Sequence, residues 1–305
     1  MIGSKSSLSS PPGRRAHRAI ALSALLAASC GGSLSHRSTA DLKGELAIPA
    51  GIAKLRLEVP TGTIGVAASP VGLAASQVRA VTYGGGVRRA ADTAEDLQKL
   101  EAIALVLTAQ PSESDPSTLV IKAPGIAAGG PRGVFGLELG LHVPDDLPLE
   151  ILVAGSGHVT MADRKAPTKV RTGRGDLRFE RCGADIEART GQGNVIAFDQ
   201  LGEVELETGL GDMQVFVRRP ATKITLVSGQ GTVQCHVPED AVFFVDAVAS
   251  VGKIGNGFGL AAEQKGYSAE MRGPHGTPAA GAVPCKIVLR TGSGHLSLSP
   301  KRWTD

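Results

Sequence analysis

Residues 172–194 read TGRGDLRFERCGADIEARTGQGN. A small hydroxyl residue, then G-x-G, then an alternating apolar run stands at both ends of this stretch, 18 residues apart. The phrase occurs as AGSGHVTM (154–161), TGRGDLRF (172–179), TGQGNVIA (190–197), TGLGDMQV (208–215), SGQGTVQC (228–235) and TGSGHLSL (291–298). Successive first glycines are separated by 18, 18, 18, 20 and 63 residues. The last gap holds a degenerate copy, SVGKIGNG (250–257), and a long insertion at 259–284. Between the phrases lie CGADIEAR, LGEVELET and PATKITLV, each a strand led by a turn. Each unit is therefore two corners and two short strands.

Strand parity assigns the faces, because successive side chains point to opposite sides of a sheet. Leu177, Phe179, Ile186 and Ala188 face inward in one unit. Val195, Ala197, Val204 and Leu206 follow in the next, then Met213, Val215, Ile224 and Leu226. Arg178, Glu180, Asp185 and Glu187 point outward. One unit cannot bury enough apolar surface to offset the entropy of ordering it, so the units must stack. The fold class expected is all-β: a β-solenoid, or β-helix-like stack, of 18-residue two-strand rungs spanning 151–300. A more irregular N-terminal β region, 46–150, precedes it and carries one short helix near 93–103.

The corner glycines are read as structural, since glycine takes positive φ without strain. They are Gly155, Gly157, Gly173, Gly175, Gly191, Gly193, Gly209, Gly211, Gly229, Gly231, Gly292 and Gly294. A phosphate loop would open a helix and supply a lysine or a ribose-binding acid; strands follow here. A calcium-binding nonapeptide roll also repeats at 18 residues, but it places carboxylates at every corner. The residue after G-x-G is instead His158, Asp176, Asn194, Asp212, Thr232 or His295, which suits a polar turn position. His158 and His295 are read as exposed turn residues. Asp185, Glu187, Glu203 and Glu205 form an outward acidic strip, read as a solvated face. A carbohydrate-cleaving β-helix needs clustered carboxylates and aromatic platforms, and the single Trp303 lies near the chain end.

In the N-terminal region, KLRLEV (54–59), SQVRAVTY (76–83), ALVLTA, STLVIKA and GLELGLHVP read as strands. DTAEDLQKLEAI (92–103) breaks the alternation. Asp92 or Thr93 is placed to cap a helix, with Leu97, Leu100 and Ile103 at three-residue spacing.

The first 30 residues read as an export signal. Lys5, Arg14, Arg15 and Arg18 make a positive segment with no acid, and the apolar run AIALSALLAAS (19–29) is too short to span a bilayer. Arg14-Arg15 raises a twin-arginine signal, which the following residues do not support. Ala27-Ala28-Ser29-Cys30 resembles a bacterial lipobox, which implies lipid attachment at Cys30 and a membrane partner. The alternative is ordinary cleavage after an A-x-A-like site. By resemblance to known lipoproteins, Gly31 after the cysteine implies the outer membrane. A flexible tether is expected over 31–45. Removing the four basic leader residues from a chain of net charge +3 leaves −1, with no basic patch for nucleic acid.

Forty glycines stand against one Trp, two Tyr and seven Phe, which suits short strands and tight corners. Cys182, Cys235 and Cys285 make no C-x-x-C pattern, so zinc and thioredoxin-type chemistry is not expected. Export permits one disulfide among them, with no pairing assigned.

Taken together, the T-G-x-G series, the LRLEVPTGTIGV opening, the helical insert and VPDDLPLEILVAGSGHV resemble the bacterial "putative adhesin" β-strand-repeat family. That family carries serial T-G-S-G-D-type copies, and the resemblance covers roughly residues 50–300. It implies a β-helix-like stack on the cell envelope, without a defined biochemical activity. The function expected is a non-enzymatic, lipid-anchored structural, adhesin-like or binding module, with no cofactor and no metal. Its partner would be a protein or envelope component, met by a flat β face or the 259–284 loop with Tyr267. The alternatives are a calcium-dependent or other ligand-sensing envelope protein and a carbohydrate-active β-helix enzyme.

Overall fold

The computed structural model describes residues 34–69, 79–126, 130–219 and 222–303. The leader and Cys30 lie outside the described residues. The N-terminal strands are β1 (His36–Ala47), β2 (Lys54–Val59), β3 (Thr63–Ala68) and β4 (Ala80–Ala91). Helix α1 (Ala94–Glu101) follows, with Thr93 as its cap: the Thr93 hydroxyl accepts from the Asp96 amide at 3.1 Å. Of the three leucine-type positions expected to pack, only Leu100 is fully buried inside the helix. Strands β5 (Thr108–Pro111) and β6 (Thr118–Lys122) form a hairpin, and β7 (Val134–Val143) closes the region.

From there through β19 the chain alternates between two sheets. The pairs are β8/β9 (Leu149–Ser156, Val159–Ala162), β10/β11 (Thr168–Arg174, Leu177–Glu180) and β12/β13 (Ile186–Gln192, Val195–Gln200). Then come β14/β15 (Val204–Leu210, Met213–Val217), β16/β17 (Lys223–Gln230, Val233–Pro238) and β18/β19 (Phe243–Val251, Ile254–Asn256). A hairpin of β20 (Ala262–Lys265) and β21 (Ser268–His275) precedes the last pair, β22/β23 (Cys285–Ser293, Leu296–Lys301).

The described residues are all-β apart from α1, with two large mixed sheets of 11 and 12 strands. The first has the order β1-β4-β7-β3-β9-β11-β13-β15-β17-β23-β19, here the A sheet. The second, the B sheet, runs β20-β21-β18-β22-β16-β14-β12-β10-β8-β2-β6-β5. The sequence spacing is the pairing register. Ile186 faces Val204 and Leu177 faces Val195, each 18 residues on, while Met213 faces Val233, 20 residues on. The inward residues Leu177, Phe179, Ile186, Ala188, Val195, Ala197, Val204 and Leu206 are at most 2% exposed and share one core.

Three features differ from the sequence reading. The stretch expected as a tether becomes strand β1 from His36 onward, paired residue by residue with β4. Its charged outer face resembles a linker, but Leu42 on the inner face is 1% exposed and anchors it in the core. The region before residue 150 is not set apart, since β2 and β3 stack directly on β8 and β9.

The third difference is the order of the pairs at the C-terminal end. Gln230 faces Ser293 and Val233 faces Leu296, so the 63-residue gap is itself a neighbour register. The last pair in the chain lies between β16/β17 and β18/β19, and the degenerate copy stacks outside it. The opposite end repeats the device, with β2/β3 enclosed between β6/β7 and β8/β9.

Candidate functional site

The corner phrase resolves into columns. The second glycines Gly175, Gly193, Gly211, Gly231 and Gly294 hold φ between +135° and +148°. A Cβ on any of them would meet the preceding corner's glycine carbonyl within about 2.0–2.2 Å. Gly157 has the same crowding, 2.3 Å from Gly62 O, without the positive φ. The first glycines differ: a Cβ on Gly191, Gly209, Gly229 or Gly292 would lie 2.5 Å from the carbonyl below. Gly173 has a looser 3.0 Å, and Gly155 abuts the Thr61 methyl.

The hydroxyl beside the glycines is buried and donates across the stack. Thr190, Thr208, Ser228 and Thr291 reach the carbonyls of Gly175, Gly193, Gly211 and Gly231 at 3.0–3.1 Å. The residue after G-x-G forms a second ladder, each side chain accepting from the next amide. His158 Nδ1 takes the Asp176 amide, Asp176 that of Asn194, Asn194 that of Asp212 and Asp212 that of Thr232, at 2.7–3.1 Å. Acid and amide alternate, which keeps neighbouring carboxylates from meeting at the roughly 4.8 Å strand spacing. Among the described residues, no group of three or more His, Cys, Asp or Glu side chains could hold a metal ion.

A ladder at the opposite corner escaped the sequence reading. Asp163, Arg181 and Asp199, 18 residues apart, all take left-handed φ of 50–59°. Arg181 grips Asp163 at 2.6 and 2.9 Å, and Arg218 grips Asp199 at 2.5 and 3.1 Å. The Arg181 bond holds the Asp163 carboxyl below its usual range. The signal was present as charges alternating at the repeat period.

On the outer face of the B sheet, the acidic strip is laced with cations. Lys169 binds Glu187 at 2.7 Å, Lys223 binds Glu205 at 3.0 Å, and Arg189 lies 3.4–3.7 Å from Glu187, Glu205 and Glu207. Thr222 donates to Glu203, and the Asp185 carboxylate accepts the Glu203 amide. Glu150, with 9% of its side chain exposed, sits between Lys54 and Arg56. Burial pushes its carboxyl up, but the two cations outweigh burial and leave it lowered. Beside this face runs an open groove of about 750 Å³, lined by Pro60, Leu152, Ala154, Arg171, Arg189 and Glu207 among others.

The A sheet gathers what the sequence left scattered. Phe198, Phe216 and His236 occupy one outward column: the two Phe rings lie 5.3 Å apart, and Phe216 stacks on His236 at 4.4 Å. Trp303 folds back from the chain end to 5.6 Å from Phe198. Arg218 lies over the Trp303 ring at 5.0 Å, and Lys301 over Phe216 at 5.7 Å. Phe198 remains 40% exposed. Burial and the Lys301 charge both lower the His236 pKa. An adjoining pocket of about 660 Å³ is lined by Arg218, Arg219, Glu239, Lys301, Arg302 and Trp303. Phe198 and Phe216 sit at the repeat spacing with outward parity, so this column was readable; the fold-back of Trp303 was not.

The remaining candidates have other settings. His295 carries the carbonyl that accepts the Val233 amide. Arg164, invisible to parity, is fully buried and donates to the carbonyls of Pro144 and Leu147, while burial lowers its pKa. Cys182, Cys235 and Cys285 are buried free thiols; burial lifts Cys182 to about 11 and Cys285 to about 12. No disulfide joins them. Tyr267 is 84% exposed at the turn between β20 and β21. No helix among the described residues is long and apolar enough to cross a membrane.

No protein-family model matches the chain, and no curated protein matches it. Among solved structures, a "putative cell adhesion protein" from Clostridium sporogenes aligns at 13% identity and TM-score 0.35, covering 86% of this chain and 100% of that one. A "putative adhesin" from Bacteroides fragilis aligns at 10% identity and TM-score 0.25, covering 87% and 97%. Similarity this low carries no argument about mechanism.

Proposed function

We propose that the protein is a non-enzymatic, adhesin-like binding module of the bacterial envelope, exported and held by a lipid at Cys30. Its body is then a two-sheet β-solenoid, in which glycine corners and hydroxyl ladders serve the scaffold. Recognition is left to the outer faces. The observation that carries this reading is the cluster of Phe198, Phe216, His236 and Trp303, flanked by Arg218 and Lys301 on the A sheet. Aromatic and arginine side chains dominate the energetics of recognition surfaces. The outer face of the B sheet largely neutralises its own charge and is the less favoured surface.

The test is a crosslinked pull-down from intact cells, comparing wild type with Trp303→Ala and Phe198→Ser. Loss of one captured envelope component in both variants, with unchanged melting, supports the reading. Capture unaffected by either variant, and abolished instead by deleting 259–284, moves recognition to the late hairpin. The anchor is tested separately: Cys30→Ser should release the protein from the membrane fraction, and unchanged partitioning refutes lipidation.

A further inference from the structure

Among the described residues the two sheets have four edge strands, and three of them are blunted. β19 has three residues, β5 has four and ends in Pro111, and β20 has four exposed polar or small residues. Short, polar or proline-bearing edges resist pairing with other chains. The fourth edge, β1, is 12 residues long and, among the described residues, hydrogen-bonds only to β4. Its outer backbone row, unpaired among the described residues, is a template for another strand.

Side-chain order says which strand. The outer face of β1 carries Arg37, Thr39, Asp41, Lys43 and Glu45. Across from Asp41 and Lys43 on β4 stand Gly86 and Gly84, so neither charge has a lateral partner on β4. Neither makes an ion pair among the described residues. Tyr83 on β4 covers Gly44 from the inner side, its hydroxyl 2.4 Å from where a Gly44 Cβ would lie, and so extends the core toward the open edge. An antiparallel copy of β1 centred on Leu42 completes this pattern. Asp41 then faces Lys43 of the second copy, Lys43 faces its Asp41, and the two Leu42 side chains meet on the inner side.

We propose that β1 is a homotypic docking edge, joining two copies of this chain antiparallel about Leu42 into one continuous A sheet. Opposite charges directly across a ladder stabilise it, and like charges do the reverse. The contact is isologous, so it closes at two subunits rather than growing a fibre.

The test uses the full-length chain in detergent. Wild type should sediment at twice the monomer mass. Asp41→Lys and Lys43→Asp should each weaken association roughly tenfold, because every facing pair becomes like-charged. The double variant Asp41→Lys/Lys43→Asp should restore it. Circular dichroism melts check that each variant folds. As a readout independent of charge, a mixture of Asp41→Cys and Lys43→Cys chains should form a disulfide-linked heterodimer far faster than either chain alone. A monomeric wild type, single variants that remain dimeric, or a mixture that crosslinks no faster than either chain alone would each overturn the proposal.

Discussion

At each corner, two glycines separated by one residue do different work. Gly211 needs both a positive φ of 147° and the space a Cβ would take from Gly193 O. Gly211→Ala should therefore cost about 1–3 kcal/mol from backbone strain alone, plus whatever the rungs lose in separating. Gly65, inside β3, has nothing within 4 Å of its Cβ position and no positive φ. Gly65→Ala should stabilise by about 0.4–1 kcal/mol. Denaturant midpoints of the two variants, moving in opposite directions, check the distinction. Thr208 is 1% exposed and its hydroxyl meets Gly193 O at 3.0 Å. Thr208→Val keeps the shape and should cost about 1 kcal/mol by leaving that contact unmade.

Ladders belong to the scale of strands rather than residues. Asn194 separates Asp176 from Asp212 in the corner column. Asn194→Asp would place three carboxylates in consecutive rungs and should cost about 0.2–1 kcal/mol per like-charged contact. Because the column is exposed, added salt should recover most of that loss, read as a convergence of melting temperatures. Asp246 joins two strands to its own, bound by Arg290 at 2.8 Å and Arg272 at 3.2 Å. The Arg290 bond leads in holding its carboxyl below the ordinary value. Since the unfolded chain binds that proton more readily, the stabilisation is complete above the ordinary carboxylate range and disappears as pH falls through the lowered value. Stability followed by denaturant midpoint from pH 7 downward should fall in that acidic window. Asp246→Asn should lower the neutral value by about 1.5–3 kcal/mol and flatten the acid limb.

Across the whole molecule, much of the architecture was legible from periodicity. Spacing gave the 18-residue register between paired strands, parity put Leu177, Phe179, Ile186 and Ala188 in the core, and KLRLEV fell on β2 to the residue. Beyond the rungs the reading weakened for physical reasons. A strand such as β1 owes its place to pairing with β4, while its charged residues resemble those of a tether. The aromatic cluster was half legible, since Phe198 and Phe216 share the repeat period, whereas Trp303 joins them through a fold-back with no periodic sign. Spatial order was not legible at all, because periodicity gives the register between two strands but not which copy fills it.

That order makes the C-terminus structural. β22 hydrogen-bonds to both β16 and β18, and β23 to both β17 and β19. A chain ending at residue 284 should lose its cooperative melt, since the strands on both sides of the missing pair become open edges. The most direct measurement is disulfide trapping of the A sheet, with bonds located by peptide mass spectrometry. Gln234 faces Ser297, and Ser297 faces Gly255 on its other side. Gln234→Cys/Ser297→Cys should therefore crosslink, whereas Gln234→Cys/Gly255→Cys, about 10 Å apart across the inserted strand, should not. Efficient bonding of 234 to 255, with none of 234 to 297, would mean that the rungs stack in chain order and would contradict the account.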